Sequence, residues 1–317
     1  MKISIVIPVY NGEMFLRETL SSVEGQSFRD FECLCINDGG RDGSAAIINE
    51  LAKRDDRFVF IDKSNEGVAA TRNLGIEHAR GEFVTFIDQD DIISPDYLKQ
   101  MVAVAESSES DVVCAAIDAG NTIMPEPGEY DFARFIRGVH EPGGVDINIW
   151  GKLYRRSTIG TARCPVGIFG ADDFVFTCRY FKERRRWLSV CPSAVYGYIM
   201  QPNNITSRMP AKFIIGTLEA EAVILDLLEG EAECSRREIA RAASWGVKKV
   251  LRNRYSRGEL RLIAERCGKI VRHPAFRFAK MKDRVRLRCA AVGWFGVSYA
   301  FYPSLLWKQR IIGRGRK

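Results

Sequence analysis

Apolar and polar positions fall into alternating strand-like and helix-like blocks from the start of the chain. Ile3 to Val9 is a near-continuous apolar run, the pattern of a strand buried on both faces, and it ends at the turn Tyr10-Asn11-Gly12. Phe15, Leu16, Leu20 and Val23 then recur at helical spacing. A second strand, Phe31 to Ile36, runs into Asn37-Asp38-Gly39-Gly40-Arg41-Asp42-Gly43-Ser44. A helix carrying Ile47, Ile48 and Leu51, a short strand from Phe58 to Ile61, a helix from Gly67 to about Ala79 and a strand from Phe83 to Ile87 continue the series. Repeated strand and helix units with short links predict an α/β fold, a Rossmann-like doubly wound and mostly parallel sheet, which binds ligands at the carboxyl ends of its strands. Tyr10, Asp38 and Asp88 stand at such ends, so three loops distant in sequence are expected to converge on one crevice.

Beyond this block, Ser94-Pro95-Asp96 reads as a helix N-cap with proline at the first helical position, opening a helix through Ala105. A strand from Asp111 to Ala116 follows. Residues 117–147 have little periodicity and read as a variable loop region near a substrate. Patterning returns at Trp150 to Arg156. An apolar-periodic helix is opened by Asp172-Asp173, whose charges suit a helix N-terminus, and strands near Leu188 to Cys191 and Ala194 to Met200 come next. From residue 211 the pattern is helical: Phe213 to Leu228, Arg236 to Arg254, Gly258 to Val271 and Arg277 to Arg288. Two domains are expected, 1–210 and a C-terminal α-helical extension, 211–317.

Charge sharpens that division. Residues 1–210 hold 23 Lys and Arg against 30 Asp and Glu, and residues 211–317 hold 24 against 10, so the basicity lies wholly in the C-terminal third. Residues 289–307 contain no charge but six aromatic rings, and Lys308 to Lys317 is basic again. Gly293, Gly296 and Pro303 make this a poor membrane span; aromatic rings between cationic flanks suit a segment lying on an anionic membrane surface, with packing on the protein itself as the alternative. Nine cysteines at irregular spacing do not form a disulfide framework and fit a reduced cytosolic compartment. Three scattered histidines argue against a His-based metal site or a Ser-His-Asp arrangement.

Candidate chemistry centres on Asp88-Gln89-Asp90-Asp91, directly after a buried strand. Like charges a few Å apart raise one another's pKa, so such a cluster waits for a cation or a proton. Mg2+ or Mn2+ takes one or two carboxylates plus substrate phosphate oxygens, which Asp-x-Asp supplies without enclosing the ion. A solvated acidic turn is the plainer alternative.

Four motifs in order, Ile5-Val6-Ile7-Pro8-Val9-Tyr10-Asn11, Asn37-Asp38-Gly39 with Asp42-Gly43-Ser44, Asn65-Glu66-Gly67 with Ala70-Thr71-Arg72-Asn73, and Asp88-Gln89-Asp90-Asp91, closely resemble the family 2 glycosyltransferases of bacterial polysaccharide and lipopolysaccharide type. These are inverting enzymes of the GT-A fold that use nucleotide-diphospho sugars. The resemblance implies that Pro8, Val9, Tyr10, Asn11, Asp38, Gly39, Asn65, Gly67, Arg72, Asp88 and Gln89 surround the donor nucleotide, usually a uridine, and that Asp90 with Asp88 ligates Mn2+ or Mg2+ at the diphosphate. The family's base follows a glutamate in a Glu-Asp pair; the matching Asp172-Asp173 assigns that role to Asp173, with Asp172 as a shortened neighbour. Trp150-Gly151-Lys152-Leu153-Tyr154 resembles the segment leading to the acceptor, which puts Trp150 and Lys152 on that side. Tyr198 to Thr206 matches a stretch where many members carry arginines; none is present, and Arg208 or Lys152 is the expected substitute for their diphosphate contacts. Gly40 stands where serine is common.

Glycosyl transfer from a nucleotide donor needs stabilisation of a leaving diphosphate and removal of one proton from an acceptor hydroxyl, which one metal-binding acid motif and one later acid supply. The expectation is a metal-dependent inverting transfer from a UDP-sugar to a glycan or lipid-linked acceptor, at the inner face of the cytoplasmic membrane. A sugar-phosphate nucleotidylyltransferase would want a Gly-rich, cationic loop after the first strand, which Tyr10-Asn11-Gly12-Glu13 does not provide. A non-catalytic sugar-nucleotide or membrane-binding partner of another transferase would not need both acid motifs. Nucleic acid is not an expected partner, because the long uncharged aromatic run of the basic third favours a lipid leaflet.

Overall fold

A computed structural model of the chain describes residues 1–118, 124–139, 141, 143–199, 210–228, 231–241, 250 and 255–293. The chain divides into two compact units, residues 1–167 with 172–201, and residues 168–171 with 202–317.

In the first unit, β1 (Ile3–Val9), β2 (Phe31–Asp38), β3 (Phe58–Lys63) and β4 (Phe83–Phe86) form a parallel block in the order β3-β2-β1-β4. Helices α1 (Glu13–Glu24), α2 (Ser44–Arg54) and α3 (Val68–His78) connect them. Every residue of β1, β2 and β4 is buried, as their mostly apolar composition requires, and the buried Glu32 of β2 is satisfied by Ser4 and Arg80. Gly75 lets α3 close on the sheet, since a Cβ there would lie 2.3 Å from Val6 Cγ1. The register pairs Val9 with Asn37 and Val6 with Phe86, which brings the loops after β1, β2 and β4 to one edge.

The sheet continues through β5 (Ile92–Ile93), β6 (Val112–Ile117), β7 (Gly128–Tyr130), β8 (Lys152–Arg155) and β9 (Arg186–Gly197), with α4 (Tyr97–Ser107), α5 (Phe132–Gly138) and α6 (Asp172–Glu183) between them. Past β4 the order is β8-β6-β9-β5, with β7 also paired to β9, giving nine strands among the described residues. β8 is antiparallel to both its neighbours, while β6 and β9 run parallel. This is the α/β fold expected from the alternating pattern, with a parallel core that positions the loops.

Several local expectations change. The helix after β5 begins at Tyr97, not at Pro95, because Ser94 is used elsewhere: its N–H donates to Val195 O at 3.0 Å and its Oγ accepts from Val195 N–H at 3.1 Å, tying the end of β5 to β9. The two strands expected around residues 188–200 are one strand. Its pairing with β6 jumps from Cys191 to Val195, and Pro192, which has no N–H to give a ladder, falls inside that bulge. The region 117–147 contains β7 and α5, whose Asp131 side chain caps the helix by accepting from Arg134 N–H at 2.6 Å. Residues 119–123, His140 and Pro142 lie outside the described residues.

Aromatic packing seats α6. Phe176 meets Phe86 of β4 at 6.2 Å and Tyr154 of β8 at 5.8 Å, Tyr180 meets Tyr154 at 5.2 Å, and Phe181 stacks on Phe135 of α5 at 4.6 Å. The first turn of α6, with its two aspartates, is held by that cluster beside the parallel core.

The second unit contains α7 (Ala211–Leu227), α8 (Ala232–Arg241), α9 (Arg257–Arg272) and α10 (Met281–Ala291). Ser256 and Glu259 form a capping box at the start of α9, and Arg266 Nε reaches Glu219 of α7 at 2.5 Å. The expected helix from Arg277 to Arg288 is instead a short 3-10 turn, Pro274–Phe278, followed by α10, because Pro274 opens a new turn whose Ala275 N–H donates to His273 Nδ1. Among the described residues no helix is long and apolar enough to cross a membrane. The rest of the uncharged aromatic run, the basic tail and most of the expected helix from Arg236 to Arg254 lie outside the described residues.

Candidate active site

Hydrogen bonds lace together the loops that follow β1, β2 and β4. Gln89 closes on Tyr10 through both ends of its amide: Tyr10 N–H donates to Gln89 Oε1 at 2.8 Å, and Gln89 Nε2 donates to Tyr10 O at 3.2 Å. A Cβ on Gly12 would stand 2.5 Å from Gln89 Oε1, so glycine is what leaves room for that amide. Asn11, in the left-handed region at φ 49°, accepts from Arg41 N–H at 2.8 Å, and Ser44 Oγ accepts from Gly12 N–H at 2.9 Å. Pro8 and Val9 belong to the buried strand, whereas the Tyr10 side of the loop is half exposed.

Asp38, at the end of β2, accepts from Lys63 Nζ at 2.6 Å, Glu66 N–H at 2.9 Å and Gly67 N–H at 2.8 Å. Burial opposes its ionisation, but those three donors hold the carboxyl below the usual range. Gly39, at φ 67°, packs where a Cβ would meet Asn65 N at 2.7 Å, and Gly67, at φ 92°, leads into α3. Asp38 therefore shapes the approach to α3 through its own contacts as well as bordering the crevice.

The acid loop divides its three carboxylates between distinct environments. Asp91 is buried and accepts from Tyr196 O–H at 2.8 Å and Ile199 N–H at 2.9 Å, while Tyr196 Oη accepts from Asp88 N–H at 3.1 Å. Burial, more than its neighbours, pushes Asp91 up to about 7. Asp90 receives no hydrogen bond from another described residue, and burial followed by the charge of Asp88 pushes it up to about 6. A carboxyl held away from its ordinary ionisation by burial and a like charge is one that a divalent cation would ionise, so Asp90 with the second oxygen of Asp88 fits such an ion. Among the described residues no three His, Cys, Asp or Glu could hold a metal alone, so phosphate oxygens of a bound ligand would have to complete the shell.

Arg72 connects that loop to α6. Its Nη2 donates to Asp88 Oδ1 at 2.8 Å, and its Nη1 donates to Asp172 Oδ2 at 2.8 Å and to Asp173 Oδ1. The Arg72 side chain is 6% exposed and Asp172 is buried with it, while Asp173 and Asp88 are part-exposed at the edge of the network. Its neighbour Asn73 exchanges two hydrogen bonds with the Cys164 backbone, at 2.9 and 2.8 Å, which fixes α3 against the segment ahead of α6. Burial is the largest influence on Asp173 and raises it to about 8; Asp172 and Asp88 push the same way, and Arg72 pulls it back.

Trp150 and Lys152 reach the same region but as buried supports. Trp150 stacks with Tyr196, at 4.8 Å and 15°, and with Tyr198, at 5.4 Å and 7°, and is itself buried. Lys152 is buried and donates to Asn148 O at 2.5 Å. Arg208 lies outside the described residues. Tyr196, which holds the acid loop, was not legible as a site member, and Asn73, present in the motif, gains the Cys164 clamp as its role. Period-2 alternation marks Tyr196 only as one inward position of a strand.

A sequence profile for Glycosyl transferase family 2 matches residues 4–180. The chain is similar to the Bacillus subtilis protein EpsH, 35% identical over 228 residues that make up 66% of this chain and 64% of the relative, so it spans less than two thirds of that relative's length. S. aureus TarS 1–349, in complex with UDP-GlcNAc, has a similar fold with a TM-score of 0.76 at 20% identity, covering 97% of this chain and 92% of that one. The mannosyltransferase PcManGT from Pyrobaculum calidifontis, in complex with GDP-Man and Mn2+, has a TM-score of 0.54 at 16% identity, covering 92% of this chain and 86% of that one.

Proposed function

The chain belongs to glycosyl transferase family 2, and on that premise we propose a metal-dependent inverting transfer of a sugar from a UDP-sugar to a hydroxyl of a glycan or lipid-linked acceptor in cell-surface polysaccharide synthesis. The observation that carries this reading is the Arg72 network, which sets the donor-side Asp88 and the later pair Asp172-Asp173 around one guanidinium. An acid for the leaving-group end and an acid for the acceptor end are what a single displacement needs. The UDP-GlcNAc complex of TarS and the Mn2+ complex of PcManGT support the choice of donor and cation, by likeness of fold.

Asp90 and Asp88 are the residues that would hold Mn2+ or Mg2+, which when bound supplies Lewis-acid neutralisation of charge on the leaving diphosphate. Asp173 takes the proton from the acceptor hydroxyl. That oxygen forms its bond to the anomeric carbon as the bond to the diphosphate oxygen breaks, and attack opposite the leaving group inverts the centre. A base raised toward the working pH accepts a proton more readily than an ordinary aspartate, and burial serves that purpose here. Arg72 orients the carboxylate through Oδ1 and leaves Oδ2 toward Ile149 N–H, at 3.5 Å. Trp150 and Lys152 form the acceptor-side wall as buried supports. The basic C-terminal unit docks on the anionic inner leaflet, where a lipid-linked acceptor is found.

The test is a donor screen with Mn2+, measuring transfer and hydrolysis for UDP-, GDP- and dTDP-sugars. A UDP-sugar is expected to be turned over fastest; turnover confined to another nucleotide would overturn the donor assignment, and none with any donor would overturn the activity.

A further inference from the structure

Tyr196 has no part in the chemistry above, yet its hydroxyl sits at the centre of the acid loop. It accepts from Asp88 N–H at 3.1 Å and donates to Asp91 Oδ2 at 2.8 Å, while Asp91 Oδ1 accepts from Ile199 N–H at 2.9 Å and Asp91 N–H closes on Asp88 O at 3.1 Å. Both ends of the four-residue loop are thus pinned to β9, and the two residues between them are Gln89, already clamped to Tyr10, and Asp90. The ring that carries the hydroxyl is fixed in turn. Trp150 stacks on it at 4.8 Å, and Tyr97 meets it edge-on at 6.5 Å.

From this geometry we infer that Tyr196 is a positioning residue for the cation: its hydroxyl holds Asp88 and Asp91 at a fixed separation, so that the carboxylates of Asp88 and Asp90 are presented together, and Trp150 holds Tyr196. Asp91 then belongs to the frame of the loop rather than to the cation's shell, because both its oxygens are taken by donors from β9 and the residues just after it. The same stack runs from the acid loop to Trp150, so the acceptor-side wall and the metal-side loop share one rigid support. A site held this way loses affinity when its supporting hydrogen bonds go, typically 10- to 100-fold for outer partners of metal ligands.

This inference rests on the metal-binding reading of Asp88 and Asp90. Tyr196→Phe keeps the ring and its stack and deletes only the hydroxyl; Tyr97→Phe deletes an equally buried hydroxyl on a ring that meets Tyr196 edge-on. The measurement is Mn2+ affinity in the presence of UDP, by electron paramagnetic resonance of free Mn2+, together with UDP affinity in chelator and the thermal midpoint. Tyr196→Phe is expected to weaken Mn2+ at least about 10-fold, with metal-free UDP affinity unchanged, while Tyr97→Phe binds Mn2+ as the parent does. Equal Mn2+ affinity in parent and Tyr196→Phe overturns the inference alone. Equal weakening in both variants also overturns it, since the effect is then general loosening. A parent that takes up no Mn2+ overturns the metal reading and this inference with it.

Discussion

Arg72 Nη2 lies 2.8 Å from Asp88 Oδ1, joining the middle of α3 to the loop after β4. The other terminal nitrogen of the same guanidinium serves Asp172 and Asp173, so one cation stands among three carboxylates from two distant parts of the chain. Removing it would leave three carboxylates close together, one buried and two part-buried, with no cation among them.

Arg72→Ala is therefore expected to destabilise the fold by about 3 kcal/mol or more near pH 8, the usual scale for breaking a buried ion pair. Asp173 has a folded-state pKa above its unfolded value, so its ionised form is disfavoured by folding and the cost grows as pH rises through that pKa. The defect should shrink near pH 5, where the carboxyl is protonated. Urea midpoints of parent and variant at both pH values check this; a pH-independent difference would contradict it.

Asp90→Asn should remove most turnover without unfolding the protein, because Asp90 receives no hydrogen bond from other described residues. Chelator should silence the parent, and Mn2+ should restore the parent but not the variant. Transfer rates with EDTA and metal add-back, beside circular dichroism, decide the matter; full parental activity in chelator would refute the assignment.

Asp173→Asn should keep donor affinity and lose transfer by at least about 10², the lower end of what a general base contributes. Titration of donor affinity alongside single-turnover transfer separates the two. Parental turnover in the variant would move the base elsewhere.

A base raised to about 8 by burial and by neighbouring carboxylates gives a rate that rises with pH through the neutral range, since only the ionised form accepts a proton. Asp172→Asn removes one of the charges that raise it and leaves Arg72 Nη1 more fully to Asp173. Its pH–rate profile should shift toward acid. A shift toward alkali would show that Asp172 does not act on Asp173 in this way.

The full chain should sediment with vesicles containing anionic lipid at low salt, through the cations from Arg277 to Arg288 and the tail beyond. Screening should release it as ionic strength rises. Protein that stays in the supernatant at low salt would rule out membrane docking.

Local features were legible along the chain: the mostly apolar runs of β1, β2 and β4, the turns that end them, and the acids that open α6 with a favourable dipole. Residues at strand ends can be read as a crevice because parallel strands bring their carboxyl ends to one edge whatever the side chains are. Partnerships across long separations came from packing in three dimensions. Arg72 and Asp173 are 101 positions apart, and no periodicity encodes that one guanidinium will meet both acid motifs; the aromatic packing of α6 on Phe86 and Tyr154 brings them together. The stacking of Trp150 with Tyr196 and Tyr198, 46 and 48 positions later, is likewise a partnership that no local pattern announces. Asp90 and Asp91 are chemically identical neighbours in sequence; burial raises the pKa of both, but Tyr196 and Ile199 donate to Asp91 alone, and Asp90 receives no hydrogen bond from another described residue.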